Sequence, residues 1–399
     1  MNQQIDDISA TSVVEIKKNK YIVDILKEIY DSGAITIAQL AKKLHTSVPS
    51  ITVYINELIS NKWLFEVGSS KTKSGRRPSL FDLNPDKIKF LIIDINVYQT
   101  NFYVLNLRNE ISAHAILEVN IGDEDIIEIF KKKAGEFIAN KEVGAVGVIS
   151  PGLLGRDSGI NFTYPNHNKG QDSIAMIMES HLKIPTFIAH DTQASMIGEH
   201  HFGLARGKNN VLLINLDWGI GLGILSNGQI IKGQNGFAGE LGHIQVDPEG
   251  ELCHCGKKGC LETVASAQTL INRAQKGIKE GKTSTLSLIQ GQLSLEDVIE
   301  AALKGDEYSI DLIFDIGREL GKGLSIAIHM FNPEVIIIDG ILTKAGELIL
   351  STLQQAINKF CLTDFKKDLQ ILVSPMGEKA KIFGTKSLVF DKLITELKY

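Results

Sequence analysis

Nothing in the 399 residues reaches the length of a membrane span: the longest apolar runs, such as 211–214 and 335–338, are strand-sized, far below the ~20 apolar residues a spanning helix needs. The opening MNQQIDDISA is polar and acidic and lacks the apolar centre of a secretory signal. Cysteine is scarce, with four residues, three of them close together, which is not the framework of a disulfide-rich secreted domain. Internal repeats and low-complexity tracts are also missing. These absences argue against membrane and secreted classes, so a cytoplasmic protein with no membrane partner is expected.

What is present is ordinary in bulk, with 43% hydrophobic and 22% charged residues, and the length calls for two or three units with their own cores. Charge is the exception. Residues 17–81 hold eleven Lys/Arg against five Asp/Glu, while the rest of the chain holds thirty-one against forty-two. A basic front end on an acidic body suits a front end that meets a polyanion.

The most informative stretch is 239–262, GELGHIQVDPEGELCHCGKKGCLE. His243, Cys253, Cys255 and Cys260 fall within eighteen residues, separated by Pro248, Gly250, Gly256 and Gly259, which turn the backbone. Three thiolates and one imidazole form a closed Cys3His set that suits a structural zinc and leaves no place for a catalytic water. His254, between two cysteines, is the rival fourth ligand; a reduced loop holding no metal is the plainer alternative. Glu240 stands three residues before His243 and Glu262 two after Cys260, so a metal here would also fix two carboxylates.

At the front, Ile22, Ile25, Leu26 and Ile29 recur at helical spacing until Gly33. Thr36 and Gln39 read as a capping box for a second helix with Ile37, Leu40, Ala41 and Leu44 inward. After a turn at His45 and Thr46, Ser47 caps a third helix that tolerates Pro49 in its first turn. Val48, Ile51, Ile55 and Leu58 are expected inward, leaving Pro49, Ser50, Val53 and Asn56 to face out. Two short helices joined by a tight turn are a helix-turn-helix, whose second helix, with Ser47, Pro49, Ser50, Val53 and Asn56, would read DNA. Strands near 63–67 and 79–83 then flank the flexible basic loop GSSKTKSGRRP, a wing carrying Arg76 and Arg77. A three-helix protein-binding module with a solvated basic loop is the alternative.

Beyond Asn84-Pro85 the pattern is α/β. Strands are expected at 90–95, 101–107, 111–119, 143–149, 186–189, 211–216 and 335–339, with helices at 123–140 and through 264–330, and Gly219, Gly221 and Gly223 in a loop. We divide the chain into a DNA-binding unit (1–86), a first α/β lobe (87–207) and a second lobe carrying the metal loop (208–399), whose last helix is free to return to the first lobe.

The order GExGH followed by CxCGxxGCLE, with GRRP in the wing and two α/β lobes from about residue 87 onward, resembles the ROK family of bacterial sugar kinases and transcriptional regulators. The resemblance implies a winged helix-turn-helix ahead of a two-lobed actin-like sugar-kinase fold. It also implies that Asn166, His190, Asp191, Glu240, His243 and Glu262 grip sugar hydroxyls, with Asp191 at the position of the catalytic base and zinc holding the loop. The family's DxGGT phosphate loop, however, is here Asp94-Ile95-Asn96-Val97-Tyr98, with both glycines and the threonine gone. Asp217-Trp218 precedes the second glycine loop, and Asp339-Gly340-Ile341 stands where a glycine run is usual. A base cannot transfer a phosphoryl group when nothing holds the donor. The expectation is therefore a non-catalytic, sugar-controlled DNA-binding regulator acting as a homodimer or homotetramer. An active sugar kinase with an added head, and a regulator controlled by a protein partner, are the alternatives.

Overall fold

The computed structural model describes residues 13–69 and 78–396. The front end begins with α1 (Val13–Ser32), β1 (Ile35–Thr36), α2 (Ile37–Lys43) and α3 (Val48–Ser60) and closes with β2 (Leu64–Ser69) and β3 (Ser79–Leu83). These strands form a small sheet in the order β1-β3-β2. Local chemistry sets the boundaries: Thr36 and Gln39 make a reciprocal capping box at α2, and Ser47 accepts from the Ser50 amide at the start of α3. Ile51, Ile55 and Leu58 turn inward as expected, but Val48 is 48% exposed. It lies in the first turn of α3, before the helix reaches the core.

Next come β4 (Phe90–Ile95), β5 (Gln99–Leu105), β6 (Ile111–Glu118), α4 (Ile126–Ile138) and β7 (Ala145–Ser150). A short ribbon of β8 (Asn168–Lys169) and β9 (Asp172–Ser173) leads to α5 (Ile174–Leu182), β10 (Thr186–His190) and α6 (Asp191–Phe202). The five long strands form a mixed sheet ordered β10-β7-β4-β5-β6. A second sheet, β13-β12-β11-β14-β15, is built from β11 (Val211–Leu216), β12 (Ile220–Ser226), β13 (Gln229–Ile230), β14 (Val335–Asp339) and β15 (Gln370–Val373). Its helices are α7 (Glu262–Ala265), α8 (Ala267–Lys279), α9 (Leu295–Leu303), α10 (Glu307–Phe331) and α11 (Glu347–Phe360), while α12 (Lys379–Glu396) returns to pack on the first sheet against β7, β4 and β10.

Gly219 lies in the expected loop between β11 and β12, but Gly221 and Gly223 do not. Residues 220–225 pair with β11 as an antiparallel strand, and the glycines serve close approach to neighbouring elements. A Cβ on Gly219 would lie 2.4 Å from Glu262 Oε2, and one on Gly221 2.1 Å from Thr192 Oγ1.

Helices α6 and α12 join everything. They cross backbone to backbone, since a Cβ on Gly198 would meet the Ala380 carbonyl and one on Gly384 the Ala194 carbonyl. The C-terminal half of α12 then enters a single core with the front end, in which Ile382, Val389, Phe390 and Ile394 share an apolar cluster with Ile22, Ile29, Ile55 and Trp63. Phe390 stacks on Tyr30 at 4.8 Å, and the Tyr30 hydroxyl lies 2.6 Å from Ser387 Oγ. The fully buried Lys386 donates to the Leu107 carbonyl with its Nζ 4.5 Å from the Tyr30 ring. Burial holds that amine well below the usual lysine range. The end of α6 touches the same front end, with His201 Nδ1 3.0 Å from Asp31 Oδ1.

Candidate sensor cleft, metal loop and DNA-reading face

Between the two sheets lies a cavity of about 490 Å³ lined from both sides, within the range of small-molecule sites. Asp191, the first residue of α6, presents its carboxylate to the cavity. Oδ1 accepts from the Thr192 amide and, at 3.0 Å, from the Thr192 hydroxyl. His190 Nδ1 lies 3.2 Å from the same oxygen. Glu240 opens a 3-10 turn (Leu241–His243) and lines the cavity too. Burial pushes its carboxyl above the usual range, against the pull of His190 and His243. Glu262 accepts from the Ile220 amide at 3.0 Å and faces His254 Nδ1 at 3.1 Å. Burial would raise this carboxyl, but the hydrogen bond and charge of His254 outweigh it and hold it below the usual range.

Asn166 is not among the residues lining the cavity. Its Nδ2 donates instead to the Ile121 carbonyl at 2.8 Å and the Asp123 carbonyl at 3.1 Å, tying its turn to the loop before α4. Thr163 and Tyr164, three and two residues earlier, line the cavity in its place, positioned by the buried Asn161, whose Oδ1 accepts both of their amides. Gln193, Trp218 and Arg273 also line it. Sequence spacing pointed to none of these three as a contact, because helix and strand packing brings them in.

The phosphate-loop end of the cleft, lined by Asn96, Val97, Asp217 and Trp218, carries bulky and paired side chains. Tyr98, from the loop after β4, meets Trp218, after β11, edge to face at 4.9 Å, so an aromatic pair spans the two lobes. Lys381 in α12 lies 3.0 Å from Asp94 Oδ1 and donates to Asn96 Oδ1 at 2.8 Å.

His243 Nδ1 lies 3.6 Å from Cys253 Sγ, and Cys255 Sγ lies 3.6 Å from Cys260 Sγ. The ligand atoms of these four residues all lie within 4.8 Å of one another. A tetrahedral ion with metal–sulfur bonds of about 2.3 Å and metal–nitrogen bonds of about 2.0 Å sets sulfurs about 3.8 Å apart and sulfur and nitrogen about 3.5 Å apart. The geometry fits such an ion. It does not fit a disulfide, whose sulfurs stand about 2.05 Å apart. Burial, with the adjacent sulfurs, pushes the Cys260 thiol up to about 12, so holding this set as thiolates requires a nearby cation. His254, 59% exposed on its side chain, turns to Glu262, although its Nδ1 is also 3.8 Å from Cys253 Sγ.

On the front end, Ser47, Pro49, Ser50, Val53 and Asn56 are all exposed, and Val53, at 63%, is unusually open for a valine. They form one continuous face of α3. Arg76 and Arg77 lie outside the described residues.

Comparison with known proteins agrees with this arrangement. The ROK family pattern matches residues 91–392 and a winged helix-turn-helix DNA-binding pattern matches residues 18–64. The chain is 29% identical over 384 residues to the N-acetylglucosamine repressor of Escherichia coli O6:H1, covering 92% of each. Its fold is similar to a crystal structure described as a ROK family transcriptional regulator, homolog of the E. coli MLC protein (TM-score 0.81, 28% identity, 95% of this chain and 98% of the other). It is also similar to a ROK family glucokinase from Streptomyces griseus in complex with glucose and AMPPNP (TM-score 0.68, 25% identity, 76% of this chain and 99% of the other).

Proposed function

The chain belongs to the ROK family, and we propose that within it this protein is a DNA-binding transcriptional regulator, a repressor, of carbohydrate genes, controlled by a sugar or sugar derivative in a non-catalytic cleft. One observation carries this reading: Asp191, Glu240 and Glu262 line the open cavity, while Val97 and Tyr98 stand where the family's phosphate loop has small residues, with Tyr98 packed on Trp218 and Lys381 paired with Asp94. Residues 1–86 form the DNA-binding unit, 87–207 the first lobe and 208–399 the second, whose last helix returns to the first lobe.

The three carboxylates accept hydrogen bonds from sugar hydroxyls, with His190 and His243 beside them. His243, Cys253, Cys255 and Cys260 hold a structural zinc, which fixes the loop that carries Glu240 and Glu262. With its four ligands taken by protein, that zinc supplies rigidity rather than chemistry. A sugar that binds the closed arrangement of the lobes better than the open one shifts that equilibrium. Because α6 begins at Asp191 and ends against the front end, the shift reaches the DNA-binding unit. Two copies of the chain place two α3 helices on a palindromic operator, with Ser47, Pro49, Ser50, Val53 and Asn56 toward the major groove and Arg76 and Arg77 in the minor groove.

The test is paired. Purified protein is screened against a sugar library by thermal shift, since a ligand of the native state alone raises stability with its concentration, and ATP turnover is measured with each hit. A sugar that stabilises the protein and releases operator DNA without ATP turnover is the expected result. Sugar-dependent turnover abolished by Asp191→Asn would overturn it in favour of a kinase. Arg76→Ala with Arg77→Ala should weaken operator binding at matched salt.

A further inference from the structure

A helix that reads bases needs free hydrogen-bond groups, and α3 offers few. Its sequence, VPSITVYINELIS, holds no lysine, arginine or histidine. The single charged side chain, Glu57, is paired with Lys18 of α1 at 2.7 Å. Most of the hydroxyls are engaged locally. Ser47 Oγ lies 2.8 Å from Ser50 Oγ and accepts the Ser50 amide at 3.3 Å, and Thr52 Oγ1 donates to the Val48 carbonyl at 2.8 Å. Tyr54 is stacked on Tyr21, with ring centroids 5.7 Å apart.

Base contacts of helix-turn-helix proteins come from the N-terminal part of the second helix. Ahead of Glu57, that part turns to solvent the apolar Val48, Pro49 and Val53 and the carboxamide of Asn56. Asn56 makes no side-chain hydrogen bond among the described residues. Pro49, Val53 and Asn56 follow one another at four and three residues, so they share one side of the helix. Three residues advance a helix by about 4.5 Å, close to the ~3.4 Å between successive base pairs. Positive charge stands outside this face: Lys42 and Lys62, exposed, bracket α3 in the chain. Contacts from such lysines to phosphates give affinity and register but carry no sequence information.

With α3 taken as the recognition helix, as proposed above, we propose that it selects A·T pairs. Val53 packs on the 5-methyl group of a thymine, and Asn56 makes paired bonds to N6 and N7 of an adenine on a neighbouring step. Thymine alone presents a methyl group in the major groove, and the donor and acceptor of adenine match a carboxamide. Guanine is read most often by a bidentate arginine or lysine, and α3 has neither. Each operator half-site should therefore hold A·T pairs beneath α3.

Full-length, zinc-loaded protein is used to select duplexes from a random library. The recovered half-site is resynthesised with deoxyuridine for each thymidine, or 7-deazaadenine for each adenine, one position at a time. Loss of one thymine methyl should weaken binding of the parent about fourfold and leave Val53→Ala unaffected at that position. Loss of one N7 acceptor should weaken the parent about fivefold and leave Asn56→Ala unaffected. Lys42→Ala should weaken all duplexes alike. A selected site with G·C pairs beneath α3 overturns the base assignment while the DNA-binding role stands, as does a methyl or N7 effect equal in parent and variant. Recovery of no duplex at any salt concentration would remove the DNA-binding role itself, and the base assignment with it.

Discussion

The two ends of the cleft share one framework and differ in what fills it. At the metal-loop end, Glu240 and Asp191 face open space, and the loop is short, local in sequence and rich in turns. At the other end, Tyr98 meets Trp218 and Lys381 meets Asp94 across long stretches of chain. A kinase needs both ends open; a sensor needs only the first. The difference lies in the side chains that stand at the phosphate-loop position, since the carboxylate of Asp191 still lines the cavity.

The comparison is tested most severely at the metal loop. Cys255→Ser removes one of four ligands, and because structural zinc contributes on the order of 10 kcal/mol to small metal-folded domains, the protein should lose its metal and loosen residues 239–262. Elemental analysis and proteolysis would detect this, and one metal per chain is expected for the parent. If parent protein prepared without chelator holds no zinc, the open end has some other support.

Glu240→Ala should act on the open end alone. A charge-assisted hydrogen bond is worth about 1.5–3 kcal/mol, so the Kd for the effector sugar should rise by about one to two decades with operator affinity unchanged in its absence. A calorimetric titration showing unchanged sugar affinity would remove Glu240 from the site.

At the phosphate-loop end, Asp217 carries a cost that depends on pH. Its carboxyl titrates near 6 rather than its ordinary 3.8, so the charged form is disfavoured in the fold. The cost is absent at and below about pH 4, grows as pH rises, and is complete above pH 6. Asp217→Asn should therefore stabilise the protein by about 1–3 kcal/mol at pH 7.5 and by nothing near pH 4. Denaturant melts at the two pH values would show this, and an equal gain at both would contradict the burial argument.

The smallest effect is expected at Tyr98→Ala, which removes an edge-to-face pair worth about 0.5–1.5 kcal/mol. Sugar affinity should shift by no more than about tenfold, while the fluorescence of Trp218 should change as its neighbour is lost. An unchanged spectrum would mean that the pair does not close the cleft in solution.

What could be read in the sequence followed how far apart the interacting residues lie. The capping box at Thr36 and Gln39, the Ser47 cap and the Cys253–Cys255–Cys260 cluster are all local, and composition with spacing exposed them. The glycines at 219, 221 and 223 were legible as unusual, but neither the strand that takes in Gly221 and Gly223 nor the close approach at Gly219 was, because their partners Thr192 and Glu262 come from other elements. Asn166 was misplaced for a similar reason, since its amide is taken by a loop more than forty residues away. Lys381 could not be found at all: it is 285 residues from Asn96, and only the fold makes them neighbours.

The shared core of α12 and the front end bears on how this chain is made. Synthesis releases the front-end residues about 300 residues before Phe390 and Ile394, which complete their apolar cluster. At about 5–20 residues per second, the front end waits on the order of 15–60 s on the ribosome for its final layer, with Tyr30 and Trp63 uncovered. The helix-turn-helix unit thus completes its core only after both α/β lobes have been made.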